Sequence, residues 1–249
     1  MARKTEGRPG GWVLLCSYGM RPEQITMETL LELRRCDLIF SDGHPHLERL
    51  LHCRSKLAVF PTSRSGLDPG FARASRTAAR LAKAGRRVGL VGHGNASFLS
   101  SLREEVSAEC ARQGAELRCL DAVSSFDAVW SLLGLNGIPG CGVRMVSACS
   151  TVGGLLDPSS ATIVFDLHAL ARRPGGVEAF AEQLRSAYPQ DHPALLVCCR
   201  SSGVKRDSLR RLTTSRLARL LPGTAPGSLE LGTLYVPPIH DPGPHGSRP

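Results

Sequence analysis

The chain has 249 residues, enough for one large domain or for two of about 120 residues that each bury a core. Hydrophobic residues make up 42% of it, no run of about 18 apolar residues occurs, and the start Met1-Ala-Arg-Lys4 leads into no signal-like apolar stretch, so no membrane association and a cytoplasmic location are expected. The formal charge of +9 raises the question of an acidic partner. However, the arginines are spread along the chain and aromatics are only 5%, so the expectation is a solvated surface without a specific nucleic-acid site.

In chain order, the apolar run Trp12-Val-Leu-Leu-Cys16 predicts a strand. Thr26 is an N-cap candidate for a helix carrying Met27, Leu30, Leu31 and Leu33, and Asp37-Leu-Ile-Phe40 predicts the next strand. Strand, helix and strand within 30 residues form a βαβ unit and so a parallel sheet. His44 to Gly70 is rich in Pro, Gly, Ser and His and reads as a mobile connection holding one short strand, Leu57-Ala-Val-Phe60. A helix over 72–84 ending at Gly85, a buried strand Val88-Gly-Leu-Val91, a helix over 98–113, a strand Leu117–Leu120 and a helix from Ser124 or Ser125 to Leu135 continue the alternation.

Residues 123–140, which include Asn136-Gly-Ile-Pro139-Gly140, read as a hinge. The expected division is 10–123 and 124–238, with tails at 1–9 and 239–249. The second half offers strands near 142–147, 161–167, 194–199 and 229–236 and helices near 175–187 and 207–221, which predicts a mixed sheet. In the Arg-rich stretch 205–219, Leu209, Leu212, Leu217 and Leu220 read as the apolar stripe of that last helix.

Nine cysteines are scattered without Cys-x-x-Cys or paired metal-ligand spacing, so they read as small buried hydrophobes, and no metal is expected. No Gly-x-Ser-x-Gly elbow, P-loop, His-Glu-x-x-His or Gly-x-Gly-x-x-Gly is present, which weakens hydrolase, NTPase, zincin and dehydrogenase readings.

In open α/β sheets ligands lie beyond the carboxyl ends of the strands. Four loops there carry candidate chemistry. Ser17-Tyr-Gly-Met-Arg-Pro22 follows the first strand. Gly92-His-Gly-Asn-Ala-Ser97 follows the buried strand and offers His93 as a general base or a turn brace. Asp121 to Asp127 places Ser124 and Ser125 at a helix start, one of them an N-cap. In Phe165-Asp-Leu-His168, strand alternation would put Asp166 and His168 on one face, as a polar or catalytic pair.

In this order and spacing, the segments from residue 12 to Pro238 resemble the tetrapyrrole-methylase superfamily of S-adenosylmethionine (SAM)-dependent methyltransferases. Within it they look most like the split borosin peptide backbone N-methyltransferases. The resemblance rests on Gln24-Ile-Thr26, Cys36-Asp-Leu-Ile-Phe-Ser41, Lys83-Ala-Gly-Arg-Arg-Val-Gly-Leu-Val-Gly-His93, Val123-Ser-Ser-Phe-Asp127, Leu133-Gly-Leu-Asn136, Leu156-Asp-Pro158, Tyr188-Pro-Gln-Asp-His192 and Thr233-Leu-Tyr-Val-Pro-Pro238. It implies two α/β domains of that type, a parallel-sheet N-terminal one and a mixed-sheet C-terminal one with a SAM cleft between, in a homodimer.

The same resemblance implies cofactor contacts at Gly19, Met20, His93, Gly94, Asn95, Ala96, Ser124, Ser125, Phe165, Asp166, Leu167 and Thr233. His93, Arg73 and Arg76 stand as the catalytic candidates. The chain departs from the borosin pattern where the phenols belong: Val91 precedes Gly92-His93, and the catalytic helix falls on 67–76, where Asp68, Phe71, Arg73 and Arg76 stand and no tyrosine does. Only eleven residues follow Pro238, so a peptide acceptor is expected in trans rather than fused. The alternative reading is a catalytically degenerate SAM-binding or scaffolding partner of a peptide or of an active methyltransferase.

Overall fold

In the computed structural model, residues 10–51, 57–59, 69–135, 138, 140–148, 156–201, 204–223 and 232–239 are described. Cys53, Asp68, Asn136, Pro139, Cys149 and nearly all of both tails fall outside that set. The chain divides into two compact units, Met1–Ser125 and Phe126–Pro249.

The first unit holds a five-stranded sheet in the order β3-β2-β4-β1-β5, formed by β1 (Trp12–Ser17), β2 (Leu38–Ser41), β3 (Leu57–Val59), β4 (Arg87–Gly92) and β5 (Glu116–Cys119). Every pairing in it is parallel. Helices α1 (Met27–Arg35), α2 (Pro45–Leu51), α3 (Pro69–Lys83) and α4 (Leu102–Gln113) make the crossovers. Thr26 caps α1 by accepting from Thr29 N, and Arg34 and Arg35 in its last turn oppose the negative end of the helix dipole. Both faces of the sheet are covered: Val13, Leu15, Val88 and Leu90 pack with α3 and α4, while Leu14, Cys16 and Ile39 pack with Leu33, Leu47 and Leu51. Burial on two faces is why these strands are continuous apolar runs rather than alternating ones.

The second unit holds a mixed sheet in the order β6-β7-β10-β8-β9, from β6 (Val143–Ser147), β7 (Ala161–Phe165), β8 (Pro193–Cys198), β9 (Ser208–Thr213) and β10 (Gly232–Val236). Strands β6 and β7 are parallel; the other pairings are antiparallel. Phe180, Ala181 and Leu184 of α6 (Gly176–Ala187) and Leu217 of α7 (Thr214–Leu220) pack on Val164, Leu234 and Leu212. Helix α5 (Ser125–Leu133) precedes β6.

Four expectations need correction. Within 44–70, residues 45–51 form α2 rather than a connection, because Leu47 and Leu51, one helical turn apart, both reach the core. Helix α4 begins at Leu102, not 98, because Leu99 takes a left-handed conformation at φ 50° that a helix cannot carry. Residues 207–221 are a strand followed by a helix. Leu209 and Leu220 are exposed while Leu212 and Leu217 are buried, and Thr213 caps α7 by accepting from Arg216 N, so no single helical stripe exists. Strand β7 ends at Phe165, with Asp166 at φ 57°, so strand alternation does not put Asp166 and His168 on one face.

Candidate functional site

Because all five strands of the first sheet run the same way, the loops leaving β1, β2, β4 and β5 gather at its carboxyl edge. The first and third of these loops are bound through backbone. Tyr18 N donates to Gly92 O at 3.0 Å and Gly94 N to Gly19 O at 2.8 Å, an antiparallel bridge beyond the ends of β1 and β4. Both bridge glycines lie in the left-handed region, Gly19 at φ 81° and Gly94 at φ 77°. Their surroundings differ. A Cβ on Gly19 would stand 2.9 Å from Gln24 Cβ, whereas one on Gly94 would enter open space.

Asn95 fastens the bridge to the loop after β5. Its Nδ2 donates to Ala122 O at 2.6 Å and its Oδ1 accepts from Ser97 N at 2.8 Å. Met20, Ala96 and Ser124 are buried around it, and Ser125 opens α5. The structure thus brings Gly19, Met20, His93, Gly94, Asn95 and Ala96 together at this sheet edge.

Sequence reasoning named His93 but missed Tyr18, Asp42 and His44 as the side chains that meet it beside this bridge. Tyr18 is only 1% exposed, and its hydroxyl donates to Asp42 Oδ2 at 2.6 Å. Asp42 follows β2, and its Oδ1 lies 3.4 Å from both Ser41 Oγ and His44 N. The rings of His44 and His93 stand 5.6 and 6.0 Å from the Tyr18 ring. One phenol, one carboxylate and two imidazoles therefore come from the loops after β1, β2 and β4. The only local signal was that Tyr18, Asp42 and His93 each sit within two residues of a strand end.

His93 is exposed as a residue, yet partial loss of water around its ring holds its pKa below the ordinary imidazole value. The charge of Asp42 and a hydrogen bond to the Met20 backbone act in the opposite direction, and His44 adds to the lowering. The net result keeps His93 neutral at pH 7 and able to accept a proton.

Arg73 and Arg76, the other catalytic candidates, are exposed on α3. The charge of Arg76 acts on Glu105 and Glu109 of α4, which places it in the helix layer. Phe71 and Val91 are core residues at 4% and 1% exposure. Arg103 at the start of α4 donates to Ser97 Oγ at 3.1 Å and sets a cation beside the β4 loop.

The second unit forms its own polar group at one sheet end. Ser147 closes β6 and donates to Asp166 Oδ2 at 2.7 Å across nineteen residues of chain. One step beyond the pairing of Leu234 with Val164, Thr233 falls opposite Phe165. Phe165, Asp166 and Thr233 therefore share this end, while Leu167 turns into the core. Ser147 carried no signal in the sequence, because its partner is fixed by β6–β7 register.

Among the described residues no group of three or more His, Cys, Asp or Glu could hold a metal ion, and no helix is long and apolar enough to cross a membrane.

Comparison with known proteins gives two kinds of match. The crystal structure of uroporphyrin-III-C-methyltransferase from Thermus thermophilus superposes with a TM-score of 0.63 at 21% identity, over 91% of this chain and 94% of that one. The methyltransferase CobJ gives 0.63 at 16% identity, over 92% and 95%. At such identities these likenesses establish the fold. A search of curated proteins gives no match. Residues 19–202, which run from the bridge glycine to just past β8, match the profile of the Tetrapyrrole (Corrin/Porphyrin) Methylases, and the chain is a member of that family.

Proposed function

We propose that this chain is a SAM-dependent methyltransferase whose first-unit loop cluster holds the cofactor and whose acceptor carries an ionisable proton. Family membership supports the methyl donor. The observation that carries the site is the Gly19–Gly94 bridge, where a tight backbone contact lies beside space that a Cβ on Gly94 would fill. Such a cradle of small residues fits a nucleoside with an amino-acid tail. Gly94, Asn95 and Ala96 would face it, Met20 and Ser124 would line it, and Ser125 and the group of Phe165, Asp166, Leu167 and Thr233 keep their assignment from the resemblance alone.

When bound, SAM supplies an electrophilic methyl on a sulfonium that leaves as a neutral thioether. The protein's task is to align the acceptor and to take its proton. Neutral His93 and the Asp42 carboxylate, steadied by Tyr18, are bases suited to an acceptor acidic enough to yield a proton near neutral pH. An amide N–H is far weaker as an acid, and the borosin phenol positions are filled by buried Phe71 and Val91. A small molecule is thus the favoured acceptor over a peptide backbone amide supplied in trans. The homodimer is supported by resemblance alone, and light scattering at tens of micromolar decides it.

Calorimetric titration with SAM and its demethylated product tests the cofactor assignment. Micromolar binding is expected, with stabilisation of about 2.7 kcal/mol at 100 times the dissociation constant. Absence of both heat and a thermal shift from well-folded protein would overturn it. Binding without transfer to any acceptor would favour the scaffolding alternative.

A further inference from the structure

Several arginines elsewhere in the molecule pair with acids: Arg35 with Glu32, Arg87 with Asp37, Arg112 with Glu109, Arg118 with Glu116, and Arg185 with Glu182. Around β9 the pattern reverses. Lys205, Arg206, Arg210, Arg211, Arg216 and Arg219 are all exposed, and none joins an ion pair among the described residues. The one acid in this stretch, Asp207, is engaged by the backbone N–H of Arg200 at 2.6 Å. An excess of positive potential thus gathers along one edge of the second sheet.

That edge is an open strand. β9 pairs with β8 from Pro193↔Thr213 to Cys198↔Ser208 in unbroken register, and no strand lies on its other side among the described residues. Edge charges commonly guard against unwanted pairing. Here, however, the cations continue past the strand onto the preceding turn and the outer side of α7, where they guard no backbone. The strand itself contains no proline and leaves Leu209 37% exposed near its start.

We propose that the open edge of β9 is a docking strand for an acidic, extended polypeptide segment. The segment's main chain would extend the ladder, and its carboxylates would meet Arg210 and Arg211 on opposite faces, with Lys205, Arg206 and α7 flanking. A polypeptide fits better than nucleic acid because an open ladder of N–H and C=O groups is matched only by another peptide backbone. In addition, no aromatic residue lies between Cys199 and Leu234 to stack on bases. The surface does not depend on methyl transfer and holds even if SAM does not bind.

The test uses the full chain and three fluorescein-labelled probes of equal charge: a nine-residue peptide of repeating Glu-Glu-Val, which presents carboxylates on both faces of a strand, the same peptide with every backbone amide N-methylated, and a single-stranded oligonucleotide. Anisotropy at moderate salt is expected to show the plain peptide binding at least tenfold more tightly than either other probe. The double variant R210E/R211E, altered at exposed positions only, should weaken it at least tenfold with an unchanged melting temperature. Hydrogen exchange on the wild-type chain should slow at residues 208–213 when the plain peptide is bound, which keeps the test independent of the variant. Equal binding of the N-methylated peptide, protection elsewhere, or indifference to the charge reversal would overturn the proposal. Tighter binding of the oligonucleotide would make the patch a nucleic-acid surface instead.

Discussion

The two polar groups at the sheet ends are built on different logic. In the first unit, parallel strands deliver consecutive loops to one edge, and the backbone itself does the joining, Gly94 N to Gly19 O. In the second, the group depends on side chains brought together by strand register, Ser147 to Asp166 across β6 and β7. A backbone-built site resists change at most side chains but fails at its glycines; a side-chain-built site loses one interaction at a time.

The largest expected effect follows from the bridge. Gly19→Val adds a Cβ at 2.9 Å from Gln24 Cβ in a left-handed conformation, and a loss of about 3 kcal/mol in denaturant unfolding is expected. Gly94→Leu separates stability from binding. Its Cβ meets no protein atom within 4 Å, so the backbone strain of about 1–2 kcal/mol is the main expected cost to stability, while SAM affinity drops at least tenfold by calorimetry. If Gly94→Leu binds SAM normally, the bridge is not the cradle.

In the second unit, Ser147→Ala removes one hydrogen bond to a carboxylate, and a loss of about 1–2 kcal/mol is expected by urea titration. The first unit should be undisturbed, which hydrogen exchange at β1 and β4 would report.

Smaller again is the effect of freeing Asp42. Tyr18→Phe keeps the ring and loses the hydroxyl that holds Asp42 Oδ2. The carboxylate can then swing toward the imidazoles, and the His93 pKa should rise by about half a unit in an NMR titration. Asp42→Asn should lower it, and adding Tyr18→Phe to Asp42→Asn should change nothing further. In the wild type, the depressed folded pKa of His93 means that the unfolded chain binds more protons between that value and the ordinary one of about 6.5. The corresponding stability is present above that window and lost as pH falls through it. Asp42→Asn, which lowers the folded value further, should widen the window on its acid side.

The smallest effect concerns Asp37, whose pKa is lowered by hydrogen bonds from the Arg87 side chain and backbone. A depressed carboxylate pKa stabilises above its unfolded value, and that stability is lost as pH falls through the folded one. Asp37→Asn should therefore flatten the acid limb of stability below pH about 4 while changing little at pH 7, since the pair is solvent-screened.

Much of the architecture is encoded locally. Apolar runs marked β1, β2 and β4, and Thr26 marked the start of α1, because caps and doubly buried strands leave composition signals within a few residues. The same local logic failed over 207–221, where leucines at helical spacing sit on a strand and a helix in succession. Pairing with β8 decided the outcome there. Beyond their places at strand ends, no local signal foretold the meeting of Tyr18, Asp42 and His93. It follows from the order β3-β2-β4-β1-β5, which seats β4 between β1 and β2 although more than forty residues of chain separate it from either. Hydrophobic patterning can announce that a strand exists and which way its faces turn, but which strands become neighbours is settled by how crossover helices pack over the sheet, and the site is a product of those neighbours.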